Sequence, residues 1–157
     1  MRLFVIILIV IAIFTIPKLW AGTLEPRAGW VVLDTAKDFD TLEADLKSAV
    51  QEAKMGIVTQ AGPTGAAAQR GITIPANKVI GVFNNDFAVK VLATSTAAMI
   101  EAPIRFYLTE NEDGTATLSY KTPTFVFAPY LSEGGDALAD LASQLDDRFD
   151  AIAQAAR

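Results

Sequence analysis

The feature that most constrains this chain is an uninterrupted apolar run near its N-terminus, from Leu3 to Ile16, directly after the basic residue Arg2. A positive N-terminus followed by such a run is typical of an export signal. A helix that continued to Ala21 would be about 28 Å long, close to a bilayer hydrocarbon core of about 30 Å. The segment is therefore long enough to span a membrane.

The residues that end the run favour a retained anchor over a cleaved signal peptide. Signal peptidase requires small residues one and three positions before the cut, and cleavage after Ala21 or Gly22 would place Leu19 or Trp20 at the third position. Trp20 is also typical of the membrane interface. A buried helix of a soluble protein, the remaining alternative, would need apolar surroundings on every side.

We therefore predict a transmembrane signal anchor at residues 1–22, a linker at 23–29 and one domain at 30–157. The charge at Arg2 favours a cytoplasmic N-terminus, so the expected location is the bacterial inner membrane, with the domain in the periplasm. The anchor residues expected to contact the lipid bilayer are Leu3, Phe4, Ile7, Val10, Phe14 and Trp20.

The net charge and the missing residue types exclude several functions. A formal charge of −5 argues against nucleic acid as a partner, because phosphate contacts require clustered Lys and Arg. The chain contains neither Cys nor His. This excludes thiol nucleophiles, disulfides, zinc sites of the usual kind and catalysis by a His base. These exclusions predict a domain that is not an enzyme and carries no cofactor.

Hydrophobic periodicity predicts alternating helices and strands. Helical spacing predicts helices at 38–54 and 136–155, the first with a capping box at Asp40 and Glu43 and a C-terminal stop at Gly56. Strict alternation predicts a hairpin over 104–120 with a turn at Asp113-Gly114. Further strands are predicted at 30–33, 56–60 and 79–83, and short helices at 66–69, 84–92 and 95–102. This order predicts an α+β fold, in which helices pack on one face of a mainly antiparallel sheet.

Ordered segments from Trp30 to Ala155 match the pattern of a known family. They include MGIVTQ at 55–60, KVIGVFNN at 78–85, APIRFYLTE at 102–110 and DGTATLSYKTP at 113–123. On these segments the domain resembles the family of domains of unknown function numbered 302 (DUF302). The resemblance implies a compact α+β domain, often paired as a dimer, with no agreed activity.

Two departures from the family pattern concern polar loops. Members commonly carry an Asp-His pair after the strand that corresponds to 56–60, where this chain has Gly-Pro-Thr at 62–64. Members also commonly place Pro after a Gly-Asn at the next strand end, where Asn84-Asn85 is followed here by Asp86. We expect any polar or metal chemistry at those loops to be lost, which favours a domain reused as a docking surface.

One candidate site is a ligand cleft formed by Asn84, Asn85, Arg105 and Tyr120. The asparagines lie where a strand end precedes a helix, a common place for ligands. A helix cap and an ordinary solvent-exposed strand face are the alternatives. The hairpin contributes a polar patch that consists of Arg105, Tyr107, Tyr120 and Lys121.

A second candidate is the segment 124–131, read as a loop between a strand and a helix. It carries an unusual number of large apolar side chains, which indicate either core filling or contact with a partner. The candidate partner-contact residues are Phe125, Phe127, Tyr130 and Leu131.

These features lead to three hypotheses. The leading one is a non-enzymatic accessory subunit, whose anchor places the domain beside an integral membrane protein complex, such as an electron-transfer complex, or in a homodimer. The second is a periplasmic domain that binds a small ligand. The third is a hydrolase with paired carboxylates such as Glu101 and Glu110, which would require these acids to converge.

Overall fold

The computed structural model describes residues 24–157. The predicted membrane anchor and its lipid-facing residues lie outside this range. Within it, no helix has both the length and the apolar character needed to cross a bilayer. The strands are β1 (Trp30–Asp34), β2 (Gly56–Ala61), β3 (Asn77–Phe83), β4 (Ile104–Glu110) and β5 (Ala116–Lys121). The helices are α1 (Phe39–Glu52), α2 (Thr64–Gln69), α3 (Asn85–Thr94), α4 (Pro123–Phe127) and α5 (Leu131–Ala156), with 3-10 turns at Ala97–Glu101 and Ala128–Tyr130.

The five strands form one antiparallel sheet in the order β1-β5-β4-β3-β2. The predicted hairpin is β4 and β5, and its turn uses Gly114 at a φ of 85°, which glycine adopts without steric cost. Helices α1 and α5 pack against each other, and α1 also contacts β2, β4 and β5. The predicted α+β class with an antiparallel sheet is therefore confirmed.

The start and stop of α1 differ from the prediction. Asp38, which has an extended backbone, caps the helix, and its carboxylate accepts a hydrogen bond of 2.8 Å from the N–H of Thr41. That hydrogen bond lowers the pKa of Asp38. The predicted capping box at Asp40 and Glu43 is wrong, because Glu43 points toward the sheet. The left-handed residue that ends the turn is Lys54 (φ 57°), whereas Gly56 already begins β2.

Glu43 connects α1 to the sheet through an ion-paired network. Its carboxylate accepts hydrogen bonds from Lys47, one turn along α1, and from Lys78 on β3. Partial burial would raise the pKa of Glu43, but the two ammonium groups outweigh it, and the pKa is lowered. The network therefore stabilises the fold while Glu43 is ionised.

The core lies between the sheet and α5, where three aromatic rings meet. The rings of Phe106 on β4 and Phe149 on α5 stack with centroids 4.6 Å apart, and Tyr120 on β5 contacts both. Gly135 has a non-helical conformation (φ 56°, ψ −152°), which separates the first turn of α5 from the rest. The long amphipathic helix thus starts at Asp136, as its sequence pattern predicts.

Candidate functional site

The two faces of the sheet carry different side chains, because neighbours along a strand point to opposite sides. The pair Phe106 and Tyr120 lies on the face covered by α1 and α5, here called the helix face. The other face, here called the outer face, carries the residues that alternate with them. It includes Trp30, Val32, Val79, Gly81, Arg105, Tyr107, Thr117, Ser119 and Lys121.

Strand register places an aromatic side chain and two cations side by side on the outer face. Trp30 on β1 pairs directly with Lys121 on β5. Phe106 pairs with Tyr120 at the end of the β4–β5 register, and the adjacent residues Arg105 on β4 and Lys121 on β5 both point to the outer face. Three neighbouring strands therefore present Trp30, Lys121 and Arg105 in one row across the sheet.

A cavity of about 300 Å³ opens above this row, and it is here called the sheet cleft. Its size is at the lower end of the range of about 300–1,000 Å³ for small-molecule sites. The residues that line it are Trp30, Val79, Glu101, Ile104, Arg105, Tyr107, Tyr120, Lys121 and Val126.

One cation of the sheet cleft, Lys121, and the nearby Arg27 lie beside an aromatic ring rather than beside acids. The ammonium of Lys121 lies 5.7 Å from the centroid of the Trp30 ring, and the guanidinium of Arg27 lies 5.3 Å from it. Both distances are within the range for cation–π attraction. None of the ion pairs found among residues 24–157 involves Arg27, Arg105 or Lys121.

The acid on the rim of the cleft, Glu101, is already engaged. Its carboxylate accepts a hydrogen bond of 2.7 Å from the hydroxyl of Tyr130. This hydrogen bond is the main reason why the pKa of Tyr130 is raised. Glu101 therefore adds negative charge at one edge, while the two cations of the row remain available to a ligand.

The comparisons with known proteins agree on the kind of domain. A family model described as "Domain of unknown function DUF302" matches residues 31–156. The chain belongs to the DUF302 family. The resemblance read from the sequence segments is thereby confirmed. A comparison with curated proteins gives no match.

A solved structure shares the fold of this DUF302 domain. It is the "Crystal structure of uncharacterized conserved protein DUF302 from Bacillus stearothermophilus", at 17% identity and a TM-score of 0.73. The match covers 83% of this chain and 100% of that one. At this identity the likeness shows the fold alone.

The four residues of the predicted ligand cleft do not lie together in the structure. Arg105 lines the sheet cleft from the outer face. Tyr120 borders the same cleft, but its ring lies on the helix face, is 2% exposed and packs in the aromatic core. Burial there, with the nearby Asp150 and Asp146 charges, raises the pKa of Tyr120 to about 12.

The two asparagines lie elsewhere in the DUF302 domain. Asn84 caps α3, since its side-chain oxygen accepts from the N–H of Phe87 at 3.2 Å, and Asn85 is the exposed first residue of that helix. Asn84 borders a smaller cavity of about 40 Å³ that is otherwise lined by apolar residues such as Phe87, Val91 and Phe149. This cavity offers an incoming ligand little polar chemistry.

Sequence reasoning missed Trp30, Val79 and Val126 as residues of the sheet cleft. Trp30 belongs to a strand that pairs with β5, which is far away in sequence. No local periodicity reports such a long-range pairing. The hairpin patch of Arg105, Tyr107 and Lys121 was the available signal, because alternation alone places these three residues on one face.

The segment 124–131 is helical rather than a loop. The hydroxyl of Thr122 accepts from the N–H of Phe125, and Pro123 follows at the first position of α4. Phe127 is 3% exposed and belongs to the core, and Tyr130 is tied to Glu101. Phe125 and Leu131 stay exposed, at 45% and 38%. Phe127 therefore fills the core, whereas Phe125 and Leu131 remain on the surface.

The acids considered for a hydrolase do not converge. Glu101 precedes β4 and Glu110 ends it, so the length of the strand, about 23 Å, separates them. Glu110 accepts a hydrogen bond of 2.7 Å from the N–H of Ala76. Within residues 24–157, no group of three acids or other ligating residues is placed to hold a metal ion.

Proposed function

We propose that this DUF302 domain is a non-catalytic binding domain that takes a small organic molecule into the sheet cleft. The observation that carries the proposal is the row of Trp30, Lys121 and Arg105 beneath a cavity of about 300 Å³. Apolar and aromatic walls with a few convergent polar groups are typical of ligand sites. In the sheet cleft, Trp30, Val79 and Val126 supply the apolar and aromatic walls, and Arg105 and Lys121 supply the polar groups.

The chemistry of the cleft supports binding rather than catalysis. The chain has no His or Cys to act as a base or nucleophile, and Glu101 is the one acid among the residues that line the cleft. The carboxylate of Glu101 accepts a hydrogen bond from the Tyr130 hydroxyl, and no second carboxylate lines the cleft to form a pair with it. In the proposed function the segment 1–22 anchors the domain to the inner membrane and the domain works in the periplasm.

The proposal is tested by the indole N–H signals of the isotope-labelled full-length chain in neutral detergent. The chain has two tryptophans, so Trp20 is an internal control for Trp30, and Trp30→Phe assigns the two signals. Added organic acids, amines and neutral aromatics should include compounds that shift the Trp30 signal saturably while Trp20 stays unmoved. A chemically diverse set in which no compound does so would reject the proposal.

An accessory subunit of a membrane protein assembly is the second candidate, and a different surface favours it. Helix α3 and the 3-10 turn that follows it expose three apolar side chains, Val89 at 59%, Leu92 at 50% and Ile100 at 78%. The turn packs against α3, so the three residues lie on neighbouring elements. Exposed apolar residues that are grouped in this way are typical of protein contacts.

Mild detergent extraction followed by native gel electrophoresis tests this second candidate. The chain should migrate with a larger assembly, and Ile100→Asp should release it, whereas Ile72→Asp should not. Ile72 is a suitable control because it is also exposed, at 47%, and lies outside α3 and its turn. Migration of the chain only as a free monomer under every mild condition would count against an accessory role.

A further inference from the structure

We infer that the ligand of the sheet cleft is a small organic carboxylate with a flat apolar body. The carboxylate would lie between Arg105 and Lys121, and the body would lie against Trp30 and Tyr107. This inference rests on the proposed function and adds the charge and shape of the molecule. Nothing in the likeness to the Bacillus structure specifies either property.

The first argument is the unbalanced charge within the row. Arg105 and Lys121 each lie next to the last pair of the β4–β5 register, Phe106 and Tyr120, so they project from the same face of neighbouring strands, and both line the sheet cleft. Like charges in such a pair are destabilising. The ion pairs among residues 24–157 leave both cations without a carboxylate. One ligand carboxylate between them would remove the repulsion and make two charge-assisted hydrogen bonds.

The second argument is the contrast between the row and the rest of the chain. The chain is acidic, with a formal charge of −5, yet Arg27 and Lys121 lie beside one indole ring and Arg105 lines the same cleft as Lys121. Local cations in a concave site attract anions even when the whole molecule repels them. Glu101 lies at the rim of the cleft, where its carboxylate accepts a hydrogen bond from Tyr130. The negative charge of Glu101 disfavours a second negative group on the ligand. A monoanion therefore fits better than a polyanion.

The third argument concerns size and shape. A volume of about 300 Å³ lies at the lower end of the range for small-molecule sites, which suits a molecule of one or two rings. Trp30 and Tyr107 are half-buried aromatic residues on the outer face, and Val79 and Val126 add aliphatic surface. Aromatic side chains pack best against flat partners through stacked or edge contacts.

The test compares two probes of equal shape, 2-naphthoate and 2-naphthamide, which differ in charge. Each is titrated into the full-length chain while the Trp30 indole signal is followed, with detergent alone as the blank. The naphthoate should bind at least about tenfold more tightly than the amide, the loss expected when charge-assisted hydrogen bonds are removed. Arg105→Gln and Lys121→Gln should each weaken the naphthoate by about tenfold and leave the amide unchanged.

Arg70→Gln is the matched control, since it removes one exposed positive charge at the end of α2 and should leave both affinities unchanged. Equal affinity of the two probes, or an equal loss in the control and the cleft variants, would overturn the carboxylate inference while a ligand cleft still stood. If neither these probes nor any compound of the wider set shifted the Trp30 signal, the proposed function would fall and the inference with it.

Discussion

The two faces of the sheet carry different kinds of side chain. On the helix face, Phe106, Leu108 and Leu118 are fully buried and pack against α1 and α5. On the outer face the same strands carry Arg105, Tyr107 and Lys121, which surround a cleft. Two buried residues of the outer face are polar: the Thr117 hydroxyl donates to Asp34, and the Ser119 hydroxyl donates to the carbonyl of Tyr107.

This difference separates residues that hold the fold from residues that are available for recognition. Apolar burial on the helix face supplies the free energy of folding, because that energy scales with the apolar area removed from water. Arg105 and Lys121, here called the cation row, contribute little to the free energy of folding, because their like charges repel each other. Substitutions on the two faces should therefore change different properties, and their effects on the free energy of unfolding should differ in size.

The largest loss of stability is expected from Phe149→Ala on the helix side. Phe149 is fully buried and stacks on Phe106, so its removal leaves a cavity in the aromatic core. The free energy of unfolding should fall by about 3–5 kcal/mol, as measured by urea denaturation. Phe125→Ala, which truncates a ring that is 45% exposed, should cost clearly less. Equal losses in the two variants would contradict the assignment of the core.

A smaller loss is expected from Gly81→Ala, which tests a closely packed part of the outer face. A methyl group at this position would lie 2.1 Å from the Thr59 hydroxyl and 2.8 Å from Cγ of Pro103. Such overpacking typically lowers the free energy of unfolding by about 1–3 kcal/mol. Gly65→Ala in α2 is the control, because a methyl group there meets nothing within 4 Å. Unfolding of the control at lower denaturant than Gly81→Ala would refute this packing.

Acidification should lower the free energy of unfolding by about 1 kcal/mol through the protonation of Glu43. Its pKa is lowered in the folded state, so the stabilisation is present above the unfolded-state pKa of about 4.3 and disappears as pH falls through the folded pKa. Chemical denaturation at neutral pH and at successively lower pH measures this slope. Glu43→Gln should be less stable at neutral pH and show a shallower slope. An unchanged slope in the variant would mean that other carboxylates carry the acid sensitivity.

The smallest effect on stability is expected from Arg105→Gln. The side chain is exposed and forms no ion pair with another residue of the range 24–157, and its neighbour Lys121 is also a cation. The free energy of unfolding should change by less than about 0.5 kcal/mol, and the sign should favour the variant, because a like-charge pair is removed. Differential scanning calorimetry resolves this. A marked drop in Tm would show that Arg105 serves the fold.

Local sequence patterns predicted most of the elements, because each strand and helix has its own periodicity. Alternation along β4 and β5 placed Phe106 and Leu108 on one face and Arg105 and Tyr107 on the other, as the structure has them. Helical spacing likewise predicted the start of the long helix at Asp136, directly after the non-helical Gly135 of the structure. These features depend on neighbours in the chain, which the sequence displays directly.

The composition of the cleft could not be predicted in the same way, because it depends on contacts between distant segments. Trp30 reaches the cation row only through the pairing of β1 with β5, and Val126 reaches it because α4 follows β5 across the end of the sheet. Grouping Asn84 with Arg105 joined two strand ends that border different cavities. Tyr120 was predicted to join Arg105 and Lys121, although alternation with Lys121 argues against it, and the structure has its ring on the helix face.

One experiment tests the separation of the two faces most directly: the same preparation of the double variant Arg105→Gln/Lys121→Gln is titrated with naphthoate and unfolded in urea. We predict a free energy of unfolding equal to or slightly above that of the unmodified chain, together with loss of the Trp30 response to naphthoate. The contradicting result is a variant that is strongly destabilised while the folded fraction still binds naphthoate with full affinity. That result would make the cation row part of the fold rather than part of a recognition site.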